Sequence, residues 1–344
     1  MKKIFAMLIA LMMILSMTAC GSSGGDSGES EEAASEATFE PMTWSANTAG
    51  AAGSNFAAGL EKFAELMKEK TNGAVVVDVY TSDQLSNGSQ ADSCQGVVDG
   101  TIDIAFEADG VWGNFDQTFC IPGLPFLFSS YEDVDSKLIN GEGGKYMTDV
   151  LEKNFNVKNI GIGENGFRYI TNSKHPVVSP EDLKGLKLRV GGSPLLTRCY
   201  ELWKADYTTA NWGEVYTGLQ THLYDGQENP IAVADASSIQ EVQNYVTAWT
   251  AHYSCMFMTM NADLYNSLPD DLKAIVDECG KEACEYQVEV TRKQCDECLE
   301  KWISEYNIEK YDMDEANAEK FKELAAPLYD EYSQYQELID LLSK

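Results

Sequence analysis

From Asp270 to about Tyr306 the chain keeps a helical spacing of apolar residues, directly after a helix-start signal, Ser267-Leu268-Pro269-Asp270-Asp271. At 1.5 Å per residue an unbroken helix of that length runs roughly 55 Å, more than one small domain can cover. The spacing therefore predicts a helix shared by two lobes. The preceding sequence supplies elements for both. Phe56, Leu60, Phe63, Ala64 and Met67 recur at helical spacing and stop near Thr71-Asn72-Gly73. A β-branched run follows, Ala74–Tyr80 (AVVVDVY), then a helical stretch over Gln90–Val98 and a second strand in GTIDIAF from Gly100. Further on, Val157–Ile162, Arg168–Thr171 and Leu186–Val190 read as extended segments, with helices around Leu195–Lys204 and Glu214–Leu223. Such alternation predicts an α/β chain of two similar-sized lobes with largely parallel sheets. At 344 residues and 44% hydrophobic content the chain is long enough to build both cores.

The N-terminus reads as an export signal. Lys2 and Lys3 precede an apolar run, Ile4–Met17, that is short against the ~20 residues of a membrane span. Thr18-Ala19-Cys20-Gly21 then resembles a lipobox, with residues 1–19 the signal peptide and Cys20 the lipidated new N-terminus; Met17 stands where that pattern usually has leucine. Gly21–Glu40 contains six carboxylates and no base, so residues 20–41 are expected to be a self-repelling tether between the membrane surface and the folded body. Eight further cysteines follow in a location that permits disulfides, but their spacing forces no pairing. Cys295 and Cys298 form an isolated CxxC on one face of the long helix and read as small apolar residues rather than a zinc or redox site.

A formal charge of -30 argues against nucleic acid and anionic membrane faces as partners. Any anionic ligand must be held by local cations. No HExxH or P-loop is present, and the chain has only three histidines. No cofactor or metal site is expected. Arginine is scarce, limited to Arg168, Arg189, Arg198 and Arg292. Arg189 closes a predicted strand, and strand ends of α/β sheets face the ligand crevice. Its planar fork matches a carboxylate, although a surface ion pair with one of 55 acidic residues would explain a lone arginine as well.

The run from Gly166 to Pro230, with GFRYITN, PEDLKGLKLRV, EVYTGLQ and DGQENP in order, resembles the solute-binding proteins of tripartite ATP-independent periplasmic (TRAP) transporters, the DctP-like family in its lipoprotein form. YTSDQLSNGSQ, GTIDIAF and IPGLPFLF extend the resemblance through the first half, so that it covers about residues 43–310. It implies a type II-like two-lobe binding protein with a central cleft, crossover segments and a long helix spanning both lobes. Residues 42–165 plus about 255–294 would form lobe I, and 166–254 plus about 295–344 lobe II. It also implies a carboxylate ligand such as a C4-dicarboxylate, a uronate or another sugar acid, and two membrane permease subunits as partners. Arg189 would form the carboxylate salt bridge with Arg168 assisting, Trp212 would pack over the carboxylate, and Asn229 would donate an amide hydrogen bond. From lobe I, Asn47, Asn87, Glu107, Asp109 and Trp112 would complete the pocket, Trp112 and Trp212 making an aromatic wall.

The sequence departs from the family at Val111, where sialic-acid binders carry a further arginine, at Ser86, and at Thr208–Asn211. The first departure argues against sialic acid, and the other two adjoin the expected cleft. Receptors of ABC-type or sensory systems, and more remotely an exported carboxylate-processing enzyme, remain alternative readings.

Overall fold

The computed structural model describes residues 39–344. The expected leader, Cys20 and most of the tether lie outside the described residues. Eleven strands form two sheets: β1 (Met42–Asn47), β2 (Val75–Tyr80), β3 (Ile104–Ala108), β4 (Val157–Phe167), β5 (Tyr169–Asn172), β6 (Lys187–Val190), β7 (Asp206–Thr209), β8 (Gly226–Asn229), β9 (Tyr245–Ala248), β10 (Tyr253–Asn261) and β11 (Glu309–Asp312). The first sheet has the order β2-β1-β3-β10-β4 and the second β11-β9-β5-β8-β6-β7.

Both sheets are mixed rather than largely parallel. The chain leaves the first sheet at β4, enters the second at β5 and returns through β9 into β10. β10 runs antiparallel to both β3 and β4, and β5 antiparallel to both β8 and β9. Returning strands impose this reversal. It is invisible in the local hydrophobic pattern, because all nine residues of β10 are buried and its apolar positions, Cys255–Met258 among them, read the same whatever the strand direction.

The long helix spans Asp270–Glu305. Leu272, Val276, Cys279 and Ala283 pack into the first lobe's core with Phe56, Leu60, Phe63 and Met67 of the helix Asn55–Lys70. At its far end Trp302 is fully buried with Val215, Ile231 and Val246 of the second lobe and donates Nε1–H to Asp235 at 2.7 Å. Glycine lets the helix lie against β4, since a Cβ at Gly280 would collide with the Ile160 carbonyl oxygen.

The C-terminal segment departs from the expected division. The helix Glu315–Glu331 packs on Pro194–Leu202 of the second lobe, but the last helix, Gln336–Ser343, packs on Glu142–Asn154 of the first. The cause is the apolar stripe Leu338, Ile339 and Leu342, which is buried where Gly143 leaves room for Leu342. Residues 295–344 therefore strap both lobes instead of belonging to one. The eight cysteines from Cys94 to Cys298 are unpaired thiols, six of them buried.

Candidate functional site

A cavity of about 410 Å³ lies between the two sheets. Its second-lobe wall is built from strand ends. β6 runs parallel to both β7 and β8, so Arg189 and Gly191–Ser193, Thr209–Trp212, and Asn229 all reach one edge. The opposite wall comes from Ala49 and Phe56, from Ala108–Val111 after β3, from Asn165 on β4 and from Tyr253 and Ser254 on β10.

The arginines of this wall differ in kind. Arg168 is buried and bonded through Nε and Nη2 to both carboxylate oxygens of Glu228, with Nη2 at 3.0 Å from Oε1. Burial alone would raise the Glu228 carboxyl and lower the guanidinium, but the pair's attraction outweighs it: Glu228 is held below the usual carboxylate range and Arg168 above its ordinary value. Arg189 is 4% exposed and makes no salt bridge among the described residues. Its Nε and Nη2 donate to the Ala210 carbonyl at 3.1 and 2.6 Å, and its guanidinium stands 5.6 Å from the Trp212 ring centre. Burial lowers its pKa to about 10, so it is still a cation at neutral pH. Arg198 is paired with Glu201 and Glu331, and Arg292 with Asp135 and Glu164. Of four arginines, only Arg189 lacks a carboxylate among the described residues, in a chain with 55 acidic side chains.

Arg168, Arg189, Trp212, Asn229 and Asp109 line the cavity. Asn229 donates Nδ2–H to Gln227 at 3.0 Å. Asp109 accepts from Ser254 Oγ and Gly110 N, each at 2.7 Å, and burial pushes its carboxyl up to about 6 against those hydrogen bonds. Four expected contacts lie elsewhere. Asn47 is fully buried and ties the turn after β2 to the helix Gln90–Asp99, its Nδ2 donating to Asp83 at 3.2 Å and to Ser93 at 2.9 Å. Asn87 is exposed at φ 53°, a left-handed turn position that asparagine tolerates. Trp112 is fully buried among Phe115, Phe119 and Phe155, so the aromatic wall reduces to Trp212. Its ring fills the core because the short helix Asp109–Trp112 turns it away from the side that presents Asp109 and Val111 to the cavity.

Glu107 lies behind the wall, where its Oε2 accepts from Nε2 of the cavity residue Gln90 at 3.3 Å and its Oε1 has no partner. Burial first, then the neighbouring Asp83, pushes its carboxyl well above the usual range. A glutamine there keeps an oxygen for Gln90 and offers an N–H to Asp83. Glu107→Gln is therefore expected to stabilise the protein at pH 8 by about 1–3 kcal/mol in urea unfolding. With its folded pKa raised, the wild-type glutamate gains stability as pH falls through that value, so the advantage of glutamine shrinks on acidification and ends near 4.5. An advantage independent of pH would contradict this account.

Asn165, Ser254 and Gln90 line the cavity without having been expected there. The cue available for Asn165 was its place three residues before Arg168 in GENGFR; nothing local marks Ser254, whose strand arrives from the second crossover. No histidine is among the lining residues.

The model of the family "Bacterial extracellular solute-binding protein, family 7" (DctP) matches residues 46–335. The 2,3-diketo-L-gulonate-binding periplasmic protein YiaO of Escherichia coli is 30% identical over 227 residues, covering 66% of this chain and 68% of its own. The C4-dicarboxylate-binding periplasmic protein DctP of Rhodobacter capsulatus is 26% identical over 277 residues, 80% of this chain and 82% of its own. Among solved structures, a TRAP periplasmic solute binding protein from Ralstonia eutropha with bound (S)-2-acetolactate superposes with a TM-score of 0.82 at 28% identity, covering 88% of this chain and 97% of that one. One from Chromohalobacter salexigens with bound D-glucuronate gives 0.81 at 25% identity, covering 87% and 99%. Two α/β lobes around a cleft, a family match over most of the folded body and these relatives agree: the chain belongs to the DctP family of TRAP transporter periplasmic solute-binding proteins, a non-catalytic transport class.

Proposed function

We propose that this protein captures a small organic acid in the cleft, with Arg189 as the carboxylate anchor, and delivers it to the membrane subunits of a TRAP transporter. The observation that carries the reading is the buried guanidinium of Arg189, which lines the cavity and has no carboxylate partner among the described residues. A buried charge without a partner is costly, and a ligand carboxylate removes that cost. Arg168 supports the same anion: Glu228 occupies its Nε and Nη2 and leaves Nη1 for the ligand. The acids bound by the Ralstonia and Chromohalobacter proteins point the same way. A cavity of about 410 Å³ falls within the roughly 300–1,000 Å³ usual for small-molecule sites. A ligand touching both walls binds the closed arrangement better than the open one, so closure is a population shift that marks the loaded protein for its membrane partner.

The test is thermal unfolding of the exported protein against C4-dicarboxylates, uronates, other sugar acids, branched 2-oxo acids and aromatic acids. A bound acid at a hundred times its Kd stabilises by ~2.7 kcal/mol. A panel in which no acid shifts unfolding would sink the reading. The same proposal includes a lipid on Cys20, which would hold the receptor beside its permease on the outer side of the membrane. Mass spectrometry of the N-terminal peptide from the native host decides it, an unmodified Cys20 being the contrary result.

A further inference from the structure

The first-lobe wall contains a β-bulge. Ser254 pairs with Gly166 and Cys255 with Glu164, so Asn165 is an extra residue on β4 with no partner on β10. Gly166 makes the irregularity possible at φ 116°, a backbone conformation that side-chain-bearing residues rarely adopt. Bulges re-aim the side chain they carry. Asn165 is buried and lines the cavity.

A relay of hydrogen bonds fixes which end of its amide is free. The Asp109 carboxylate accepts the Ser254 hydroxyl at 2.7 Å, so that oxygen has its lone pairs left to accept Asn165 Nδ2–H at 3.1 Å. The amide nitrogen is thus engaged inside the wall. Oδ1 remains, buried and without a partner among the described residues. A buried carbonyl oxygen in that condition lacks a donor, and a hydrogen bond from a ligand would satisfy it.

We propose that Asn165 Oδ1 accepts a hydrogen bond from a hydroxyl of the bound acid, so that the site selects hydroxylated monocarboxylates over dicarboxylates and over acids without a hydroxyl. The inference rests on Arg189 as the carboxylate anchor. The charges of the cavity argue for the second half of it. Of its two cations Arg168 is already neutralised by Glu228, which leaves Arg189 to compensate one carboxylate. A second carboxylate on the ligand has no hydrogen to give Oδ1 and would add its charge to a wall that already holds the Asp109 carboxylate. A hydroxyl supplies the hydrogen and brings no charge.

Calorimetry at pH 7.5 with two matched pairs, D-gluconate against hexanoate and 2-hydroxy-3-methylbutanoate against 3-methylbutanoate, and with succinate, tests the proposal. In at least one pair the hydroxy acid is expected to bind at least about tenfold tighter than its deoxy counterpart and tighter than succinate. Asn165→Ala brings that ratio toward one by weakening the hydroxy acid alone. Ser254→Ala, which releases the amide, lowers the ratio in part and carries the test should Asn165→Ala not fold. An unchanged ratio in the variants, or succinate binding tightest to the wild type, overturns the proposal. Arg189→Ala separates the two levels: it weakens every acid that binds, and if it does not, the anchor reading fails while the Asn165 ratio is still measured. A panel in which no acid binds removes both.

Discussion

Arg189→Ala is expected to lower affinity for whichever acid the wild type binds by at least about a hundredfold, equivalent to ~2.7 kcal/mol. The magnitude follows from what the substitution leaves behind. In the complex the ligand carboxylate is out of water, Arg168 is mostly occupied by Glu228, and the other charged groups lining the cavity, Asp109 and Glu214, are carboxylates. Removing one partner of a buried ion pair costs about 3–5 kcal/mol, because the surviving charge stays desolvated. The unliganded protein responds differently. Arg189 has no carboxylate to lose there, only two hydrogen bonds to the Ala210 carbonyl, so thermal unfolding without ligand changes little. Loss of binding with preserved stability separates an anchor from a scaffold residue. Arg189→Lys retains the charge without the planar fork and should fall between wild type and alanine. Near-normal affinity of Arg189→Ala by calorimetry would remove Arg189 from the role. Long-range attraction does not assist capture, since a chain of charge -30 repels anions at a distance. Selectivity for an acid rests on the few groups around one guanidinium.

The second-lobe wall was legible in the sequence because its residues lie in short motifs on parallel strand ends. Arg189, next to last on β6, and Asn229, last on β8, stand at strand ends that open on one edge, and Trp212 lies on the turn after β7. The first-lobe wall was not, for a topological reason. It is assembled from the ends of β1 and β3 and from β4 and β10, which are adjacent in space but separated by the whole second lobe in the chain. The positions read as contacts there, Asn47, Glu107 and Trp112, are polar or aromatic residues of the right kind that the backbone directs inward, to brace Asp83, position Gln90 and fill the core. Local sequence gives the kind of residue at a strand end, whereas the facing direction depends on where the strand stops. The bulge at Asn165 is a further case: one extra residue reverses which side chain meets the cavity, and only its pairing with β10 reveals it. The long helix was legible for the opposite reason, since 36 residues of periodicity accumulate a signal that no single strand can. The terminal strap was missed because an amphipathic helix reports that it is covered, not by which lobe.

Glu228→Gln should separate the two arginines further. The substitution keeps an oxygen that can serve Gly191 N–H, now accepted by Oε1 at 2.9 Å, and keeps the side-chain volume, but removes the charge opposite Arg168. Both members of the pair are nearly inaccessible, so the unliganded protein is expected to lose about 3–5 kcal/mol, read as a fall in the urea midpoint. Binding should move in the other direction. With Glu228 neutral, two uncompensated guanidinium groups line one wall, and the ligand carboxylate becomes the counter-charge for both. Ligand-induced stabilisation is then larger in the variant than in the wild type at equal ligand concentration, although the variant starts less stable. If instead both stability and the ligand-induced shift fall, Glu228 acts by holding Arg168 and the Gly191 turn in the geometry the ligand needs, and its charge is secondary. The wild-type arrangement keeps one arginine neutralised and leaves the other bare, which confines the uncompensated charge to the position that the ligand carboxylate takes.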